Sequence, residues 1–338
     1  MAGVAGGRVQ KLVDLVIDHS HGLISLTKLQ AIGAVVLAGL ALQLVLDLGA
    51  YVYCHFLRPG KNLKRLGDWA VVTGATDGIG KAMAFEFASK SLSVVLISRS
   101  QDKLVATAEE LKAKFPKVEV KVLAIDYGSF DEKARKLVAD LLAQLSSVAV
   151  LVNNVGISYE FPVYFHELTA DRVDKLMTIN VHSTTWMTHL VLPKMVERKK
   201  GAVVNISSAA GVANSPLLAE YGAAKSYVSM FSRALNFEYA PKGVHVQCQV
   251  PMFVTTKLAK LRHTSIFVCS EKAYARAAVK AIGYEPLISP YWSHAIQIWI
   301  SQVLPEWFIG QWVTLPMHQG IRAKGLKKQT AADSAKSK

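Results

Sequence analysis

The first long apolar stretch of the chain lies near its N-terminus. From Ala31 to Leu46 the sequence contains one polar residue, and apolar character continues as far as Leu57. At a rise of about 1.5 Å per residue, residues 29–57 are long enough to cross a hydrocarbon layer of roughly 30 Å. The pattern predicts a retained transmembrane anchor, with a buried helix of a soluble protein as the alternative. Aromatic residues suited to a membrane interface stand at its end, namely Tyr51, Tyr53 and Phe56.

Between Trp69 and Gly283, short runs rich in Val and Ile alternate with longer amphipathic segments. Strands that are apolar on both faces and separated by helices are typical of a parallel sheet covered on both sides. The pattern therefore predicts an α/β fold, a Rossmann-type doubly wound parallel sheet, over residues 66–285. The predicted strands are WAVVTG, SVVLISR, VEVKVLAID, VAVLVNN, GAVVNIS and VHVQCQV.

The C-terminal part of the chain is apolar again but differently organised. Residues 291–313 are interrupted by Pro305 and Glu306 and contain four of the six tryptophans. Because Trp is enriched at membrane interfaces, we expect residues 286–320 to lie on a bilayer or to form an apolar lid, with ordinary core packing as the alternative. Residues 321–338 are basic and polar, and we expect a disordered tail. The tryptophans are Trp292, Trp299, Trp307 and Trp312.

The net charge of the chain is +14, and its basic residues are denser after the predicted anchor than before it. The positive-inside rule then predicts that the domain after the anchor is cytosolic and that residues 1–28 are luminal. The basic residues after the anchor are Arg58, Lys61, Lys64 and Arg65, and those before it are Arg8, Lys11 and Lys28.

The composition also excludes several classes of function. The sequence has no zinc-finger spacing, RNA-binding strand motif or heptad after a basic run, so nucleic acid is not an expected partner. The excess of positive charge instead suits an anionic membrane or a phosphorylated ligand. Because Cys54, Cys248 and Cys269 lack CxxC spacing and His166 has no second ligand at suitable spacing, we predict no metal site.

A glycine-rich turn follows the first predicted strand and leads into a helix. Glycines there let the backbone approach a pyrophosphate and direct the amides of the helix N-terminus at its charge. A plain strand-to-helix connection is the alternative. The candidate cofactor-binding residues of this turn are Gly74, Thr76, Asp77, Gly78, Ile79 and Gly80.

Further cofactor candidates stand at the ends of the next strands. Arg99 follows the second strand, where a guanidinium would pair with the 2′-phosphate of NADPH and an acidic residue would favour NADH. The sequence therefore predicts NADPH/NADP+, with a surface cation as the alternative role of Arg99. Asp126 and Asn153 end the third and fourth strands, at the edge where open α/β sheets bind ligands.

Tyr221 and Lys225 are four residues apart in a segment that is predicted to be helical. This spacing puts the ammonium beside the phenol, which predicts a lowered pKa for Tyr221 and a role as proton donor to a carbonyl oxygen. Ser208 ends the preceding strand, where its hydroxyl would hold that carbonyl. A Tyr and a Lys one turn apart are weak evidence alone, and their order after the other motifs makes them specific.

These motifs resemble the short-chain dehydrogenase/reductase superfamily, over about residues 68–284. Within it, the chain is similar to the microsomal very-long-chain 3-oxoacyl-CoA reductases, a family that includes related 17β-hydroxysteroid dehydrogenases. The general resemblance is carried by TGATDGIG, NNVG, Asn180, Ser208 and YGAAK. The narrower one is carried by FLRPGKNLKRLGDWAVVTGATDGIGKA, YFHEL, VQCQVPMFVTTKLAK and GYEPLISPYW.

The resemblance implies further roles within the site. Asn180 is expected to complete a catalytic tetrad, its helix kink holding a water that links Lys225 to solvent. Lys225 is expected to bind the nicotinamide ribose hydroxyls beside Tyr221. The chain has Pro251-Met252 where the superfamily commonly has Pro-Gly, which changes the pocket. The residues expected to flank the nicotinamide amide are Val250, Pro251 and Thr256.

The resemblance also implies a function, the NADPH-dependent reduction of very-long-chain 3-oxoacyl-CoA during fatty-acid elongation at the endoplasmic reticulum membrane. Reduction of a 17-ketosteroid or another lipophilic ketone is one alternative, and a non-catalytic elongase scaffold is another. The expected partners are the acyl-CoA substrate, the lipid bilayer, a second copy of the chain, and the condensing enzyme, dehydratase and enoyl reductase of elongation.

Overall fold

The computed structural model describes residues 26–259, 261 and 263–336. The chain divides into two compact units, the first ending at Arg58 and the second running from Pro59 to Lys338. The predicted luminal segment, residues 1–28, falls almost entirely outside the described residues. The two units are described separately below.

The first unit contains one long helix. Helix α1 (Leu26–Val52) continues into a π-helical turn at Tyr53–Leu57. Residues Gln30–Leu57 have a mean hydropathy of 2.2 in their most apolar window, which is not buried against other described residues. An isolated helix that exposes such a surface on all sides has the length and composition of a membrane span. The predicted apolar helix is therefore present.

The second unit is built on a parallel sheet. Over the described residues, seven strands lie in the order β3-β2-β1-β4-β5-β6-β9, and every neighbouring pair is parallel. The order reverses direction between β1 and β4, which is the switch point where doubly wound sheets bind ligands. The strands of this sheet are β1 (Trp69–Thr73), β2 (Ser93–Ser98), β3 (Val120–Ala124), β4 (Val148–Asn153), β5 (Gly201–Ile206), β6 (Val244–Gln249) and β9 (Leu287–Ile288). Strands β7 (Phe253–Val254) and β8 (Val268–Cys269) form a separate two-stranded sheet.

Helices cover both faces of the sheet, because side chains alternate between the faces along each buried strand. Val72 of β1 packs in one core with Phe87 and Tyr274, whereas the adjacent Val71 packs in a second core with Met187. The helices of this unit are α2 (Gly78–Ser89), α3 (Gln101–Lys114), α4 (Glu132–Ala143), α5 (Ala170–Met177), α6 (Ser183–Arg198), α7 (Ala219–Tyr239), α8 (Glu271–Ala281), α9 (Trp292–Val303), α10 (Glu306–Phe308) and α11 (Leu315–Lys336).

The predicted boundaries near the C-terminus need correction. The sheet extends beyond residue 285, since β9 pairs with β6. Strand β9 has only two residues and lies just before Pro290, which is too short for a periodic pattern to predict it. The expected disordered tail is wrong over residues 321–336, which belong to helix α11. Ala and Lys, which are good helix formers, make up eight of these sixteen residues. A hydrogen bond from Arg322 to Glu167 also ties the helix to the unit.

Candidate active site

The candidate residues gather where the strands end. Strands β1, β2, β3, β4, β5 and β6 run parallel, so the residues that follow them share one edge of the sheet. The predicted cofactor and catalytic residues thus fall into two groups, one after β1 to β4 and the other after β5 and β6. Each group is built by short contacts between the loops.

The glycine-rich turn is held in place by the loop after β4. Asn154 Nδ2 donates to the carbonyl oxygens of Thr73, at 3.0 Å, and Gly74, at 3.2 Å. Gly74 has φ +63°, a left-handed conformation that favours glycine, and a Cβ at Gly80 would overlap Asn154 Nδ2. The turn therefore needs glycine to pack against β4. Asn154, not singled out as a cofactor residue, is the side chain that fixes it.

Polar groups face outward from this turn and from the end of β2. Asp77 caps α2 by accepting from the Gly78 N–H at 2.8 Å, and it forms an ion pair of 2.8 Å with Lys257. Thr76 Oγ1 lies 3.0 Å from Ser98 Oγ, which connects the turn to β2. Arg99, the next residue, is exposed. The predicted phosphate-binding groups are thus brought to one side of the switch point.

Two other predicted cofactor residues have different surroundings. Asp126 is exposed after β3 and accepts from the Gly128 N–H at 2.9 Å. Asn153 is 2% exposed, and its Nδ2 donates to Asn205 Oδ1 at 2.8 Å and to Thr188 Oγ1 at 2.9 Å. These bonds direct the Asn153 side chain into the interior between sheet and helix, so a contact with the cofactor would come from its backbone at the end of β4, and its role in cofactor binding stays a prediction.

Ser208 and Tyr221 form the chemical end of the site. Ser208 follows β5, its Oγ accepts from the Ala210 N–H at 3.2 Å, and its hydroxyl is close enough to Tyr221 to lower the pKa of that phenol. The neighbouring Ser207 points the other way and donates to the Lys225 carbonyl at 2.8 Å. The alternation along the strand thus leaves Ser208 as the hydroxyl beside the phenol.

The expected lowering of the Tyr221 pKa is wrong in this structure. Burial, which disfavours the phenolate, raises the pKa of Tyr221, and the nearby Ser208 hydroxyl offsets this only in part. The Lys225 ammonium lies 5.9 Å from the centre of the Tyr221 ring. The phenol is therefore protonated at neutral pH, and it reaches the site as a proton donor.

Lys225 is a buried cation with unused hydrogen-bonding capacity. It is 5% exposed, and its Nζ donates to the Ile206 carbonyl at 3.0 Å. Burial lowers the pKa of Lys225 to about 8. An ammonium has three donors, so two remain for a ligand, and a pair of ribose hydroxyls supplies matching acceptors. A Cβ at Gly156 would lie 3.2 Å from this Nζ, so glycine keeps the space beside it open.

Asn180 lies in a π-helical turn, Thr178–His182, between α5 and α6. Its Oδ1 accepts from the Ile157 N–H at 3.2 Å, and its Nδ2 donates to the Leu176 carbonyl at 3.0 Å. A Cβ at Gly156 would lie 2.7 Å from Asn180 Oδ1, so Asn180 and Lys225 both lie beside this glycine. The expected interruption of the helix is present at this residue, as π-turns often are at functional sites.

The segment after β6 closes the site from the other side. Val250 N–H donates to the Ile288 carbonyl at 2.8 Å, and the Pro251 carbonyl accepts from the Ala209 N–H at 2.9 Å. Thr256 lies against the glycine-rich turn, where a Cβ at Gly78 would be 3.1 Å from its Cγ2. The three residues expected to flank the nicotinamide thus contact, between them, both the loop after β5 and the glycine-rich turn after β1.

His294 supports this segment and was not predicted. The Met252 N–H donates to His294 Nδ1 at 3.3 Å, so Nε2 carries the ring proton and donates to the Phe253 carbonyl at 3.1 Å. Burial lowers the pKa of His294 to about 4, which keeps the imidazole neutral as both bonds require. A single histidine in an apolar helix gives no signal for this role in the sequence.

The Tyr159–His166 stretch, expected to contact substrate, is fixed from two sides. The Tyr159 hydroxyl accepts from the Glu220 N–H at 3.0 Å and so caps α7, which carries Tyr221. From the other side, α11 packs on the stretch, since a Cβ at Gly325 would overlap the Phe161 ring. These contacts of α11 were missed because the tail was expected to be disordered. Among the described residues, no group of His, Cys, Asp or Glu is arranged to hold a metal ion.

A doubly wound sheet with a glycine-rich first turn and a Ser–Tyr–Lys group defines a class, the dinucleotide-binding oxidoreductases. More narrowly, the chain belongs to the short chain dehydrogenase family, whose model matches residues 68–265.

Several known proteins are similar to this chain. The rat very-long-chain 3-oxoacyl-CoA reductase is 44% identical over 266 residues, which cover 78% of this chain and 84% of the relative. The human inactive hydroxysteroid dehydrogenase-like protein 1 is 38% identical over 308 residues, covering 88% and 92%. Among solved structures, a short-chain dehydrogenase from Sphingobium yanoikuyae in complex with NADPH has a TM-score of 0.57 and 29% identity, over 63% of this chain and 83% of that one.

Proposed function

We propose that this protein is an NADPH-dependent reductase that converts very-long-chain 3-oxoacyl-CoA to 3-hydroxyacyl-CoA. The observation that carries the proposal is the protonated, half-buried Tyr221, with Ser208 beside it and Lys225 one helical turn away. The similarity to the rat very-long-chain 3-oxoacyl-CoA reductase, at 44% identity over 84% of that enzyme, supports the choice of substrate.

The residues present fit NADPH. The α2 N-terminus and the backbone of Gly74 to Gly80 would hold the pyrophosphate, and Arg99 would pair with the 2′-phosphate. Asp126 would lie at the adenine end, and Lys225 would bind the ribose hydroxyls with the two donors that Ile206 leaves free. When bound, this cofactor supplies a hydride to the carbonyl carbon of the substrate.

The protein itself manages the oxygen and the proton. Ser208 donates a hydrogen bond to the carbonyl oxygen and positions it against Tyr221. The Tyr221 hydroxyl gives its proton to that oxygen as negative charge develops there, and burial ensures that the proton is present at neutral pH. Lys225 and Asn180, both beside the Cβ position of Gly156, lie where the phenol can be reprotonated from solvent.

The place of action follows from the anchor. We assign α1 with its π-turn as a single span of the endoplasmic reticulum membrane, because its length and hydropathy suit a span and the similar reductases act on long acyl chains. The basic residues after the span favour a cytosolic second unit. The condensing enzyme, dehydratase and enoyl reductase of elongation would then be neighbours in the same membrane.

The substrate can be tested directly with the full chain in lipid nanodiscs. Oxidation of NADPH is followed with a very-long-chain 3-oxoacyl-CoA and, separately, with a 17-ketosteroid. We expect kcat/KM to be at least about tenfold higher for the acyl-CoA, equivalent to about 1.4 kcal/mol of transition-state binding. If protein that binds NADPH reduces the ketosteroid and not the acyl-CoA, the proposed substrate is wrong and a ketosteroid takes its place.

That second candidate, a reductase of steroids or other lipophilic ketones, is favoured by the similarity to a human hydroxysteroid dehydrogenase-like protein. The same relative is named inactive, which also keeps a non-catalytic scaffold role open to test. The chain nevertheless has Ser208, Tyr221 and Lys225 assembled at one edge. Absence of turnover with every ketone, together with normal NADPH binding, would favour the scaffold.

A further inference from the structure

Helix α9 has an apolar outer face. Its inner face holds His294, which is fully buried against the segment after β6. The outward residues follow the i, i+3, i+4, i+7 spacing of a single helical stripe. Surface helices normally carry polar residues on that side, so the pattern is inverted. The stripe consists of Ile296, Trp299, Ile300 and Val303, of which Trp299 is 59% and Val303 61% exposed.

The apolar surface continues past the end of α9. Trp307 is 66% exposed and Trp312 is 68% exposed, with other apolar side chains between and beside them. Over residues 292–314, Glu306 is the only Asp, Glu, Lys or Arg in the sequence. We call the whole surface the aromatic face. It consists of the α9 stripe with Leu304, Trp307, Phe308, Trp312 and Val313.

Basic residues follow the aromatic face in α11. Lys324, Lys327 and Lys328 are exposed, and Asp333 is the only acidic residue of this helix. Lys328 lines a cavity with Asp77 and Thr256 beside the glycine-rich turn, so this basic run is not part of the aromatic face. The aromatic face by itself suits a lipid interface, because Trp rings occupy the boundary of headgroups and acyl chains.

We propose that the aromatic face binds the surface of the bilayer, with its Trp side chains in the headgroup region. The proposal rests on the anchoring stated above, because the candidate span ends at Leu57 and the second unit begins at Pro59, with no long linker between them. Such a short tether gives the surface a high effective concentration of lipid, so weak contacts suffice. The unit is then fixed to the membrane at two places.

A lipid surface fits these residues better than a protein or a covering lid does. Trp at three exposed positions, 59–68% exposed, is typical of a membrane belt. A closed lid would bury these rings against the unit, whereas Trp299 and Trp312 are 59% and 68% exposed. Trp307 is 66% exposed and also lines a cavity beside Ala210 and Gly222. A partner protein remains a distinct outcome of the experiment below.

Spin-label depth measurements test the proposal. A nitroxide is attached to Val303→Cys or Trp307→Cys in the full chain, in nanodiscs of phosphatidylcholine and phosphatidylserine, with Cys54→Ser as background. Cys248 and Cys269 are 0% and 2% exposed and do not compete for the label. The control is Phe237→Cys on α7, where the side chain is 75% exposed and lies outside the aromatic face.

We expect oxygen, which concentrates in lipid, to relax the labels at 303 and 307 more than a water-soluble nickel chelate does, with the reverse at 237. Labels at 303 and 307 that respond to nickel as strongly as 237 would overturn the proposal. Shielding from both reagents would also overturn it, since protein would then cover the face. The readout needs no turnover, so it fails or succeeds independently of the proposed reaction. NADPH binding verifies that each labelled variant is folded.

Discussion

The ammonium of Lys225 lies 5.9 Å from the centre of the Tyr221 ring, one turn away on the same helix, α7. Burial affects the two groups in opposite directions, raising the pKa of the phenol and lowering that of the lysine to about 8. At neutral pH both therefore hold their protons. The site contains a proton donor and, behind it, a cation able to support its reprotonation.

The first prediction concerns pH. Because the pKa of Lys225 is about 8, its ammonium is present at neutral pH and is lost as the pH rises through that value. The charged ammonium offers more hydrogen-bond donors to the ribose hydroxyls than the neutral amine does. We expect the Kd for NADPH to rise between about pH 7 and about pH 9. Binding titrations of Lys225→Met should lack this step, and a flat wild-type profile would refute the assignment.

Arg99 allows a test of cofactor choice. A charge-assisted bond to phosphate contributes about 1.5–3 kcal/mol, so Arg99→Asp should weaken NADPH binding roughly 10- to 100-fold and leave NADH binding similar or better. The matched control is Arg233→Asp, since Arg233 is another exposed arginine, on α7. The Kd ratio of the two cofactors is the measurement. An unchanged ratio in Arg99→Asp would show that the 2′-phosphate binds elsewhere.

Replacing either of two glycines of α11 by alanine should change the stability of the protein, in opposite directions at the two positions. At Gly320 nothing lies within 4 Å of an added Cβ, so Gly320→Ala should stabilise the helix by up to about 1 kcal/mol. At Gly325 the added Cβ would overlap the Phe161 ring, so Gly325→Ala should lower the thermal midpoint. It should also raise KM for the acyl substrate, because Phe161 moves. Equal midpoints for the two variants would mean that α11 does not pack on this loop.

His294 makes stability depend on pH. Its folded pKa, about 4, is below the ordinary value of 6.5, so the unfolded chain takes up this proton first as the pH falls. From about pH 7 to about pH 5, this costs about 2 kcal/mol of unfolding free energy. The rings of Tyr274 and Tyr291 face the imidazole. Thermal unfolding of His294→Gln should show a smaller loss over this range, and an equal loss would exclude His294 as its source.

The sequence predicted the sheet well, because strands such as Val148–Asn153 are continuous apolar runs. It failed where a segment is defined by partners distant in the chain. Strand β9 has two residues and exists because β6 offers an edge. Helix α11 is held by Glu167 and Phe161, more than a hundred residues earlier.

The sequence predicted where the site residues lie more accurately than it predicted their burial and hydrogen bonds. Ser208, Tyr221, Lys225 and Asn180 are near one another as their motifs indicated. Spacing alone did not reveal how deeply the phenol is buried, so the direction of its pKa was wrong. Nor did it reveal which of two adjacent asparagines faces inward, because that depends on bonds from Asn153 to other elements.

The most direct test of the account is the single-turnover reduction of a very-long-chain 3-oxoacyl-CoA by NADPH-loaded protein, comparing Tyr221→Phe with Tyr227→Phe. Tyr227 is on the same helix, and its hydroxyl lies 3.1 Å from Thr185 Oγ1, away from the site. We predict a loss of about 10²- to 10⁴-fold in Tyr221→Phe, near-normal rates in Tyr227→Phe, and unchanged NADPH binding in both. Reduction by Tyr221→Phe within a few-fold of the wild-type rate would contradict the assignment of Tyr221 as the proton donor.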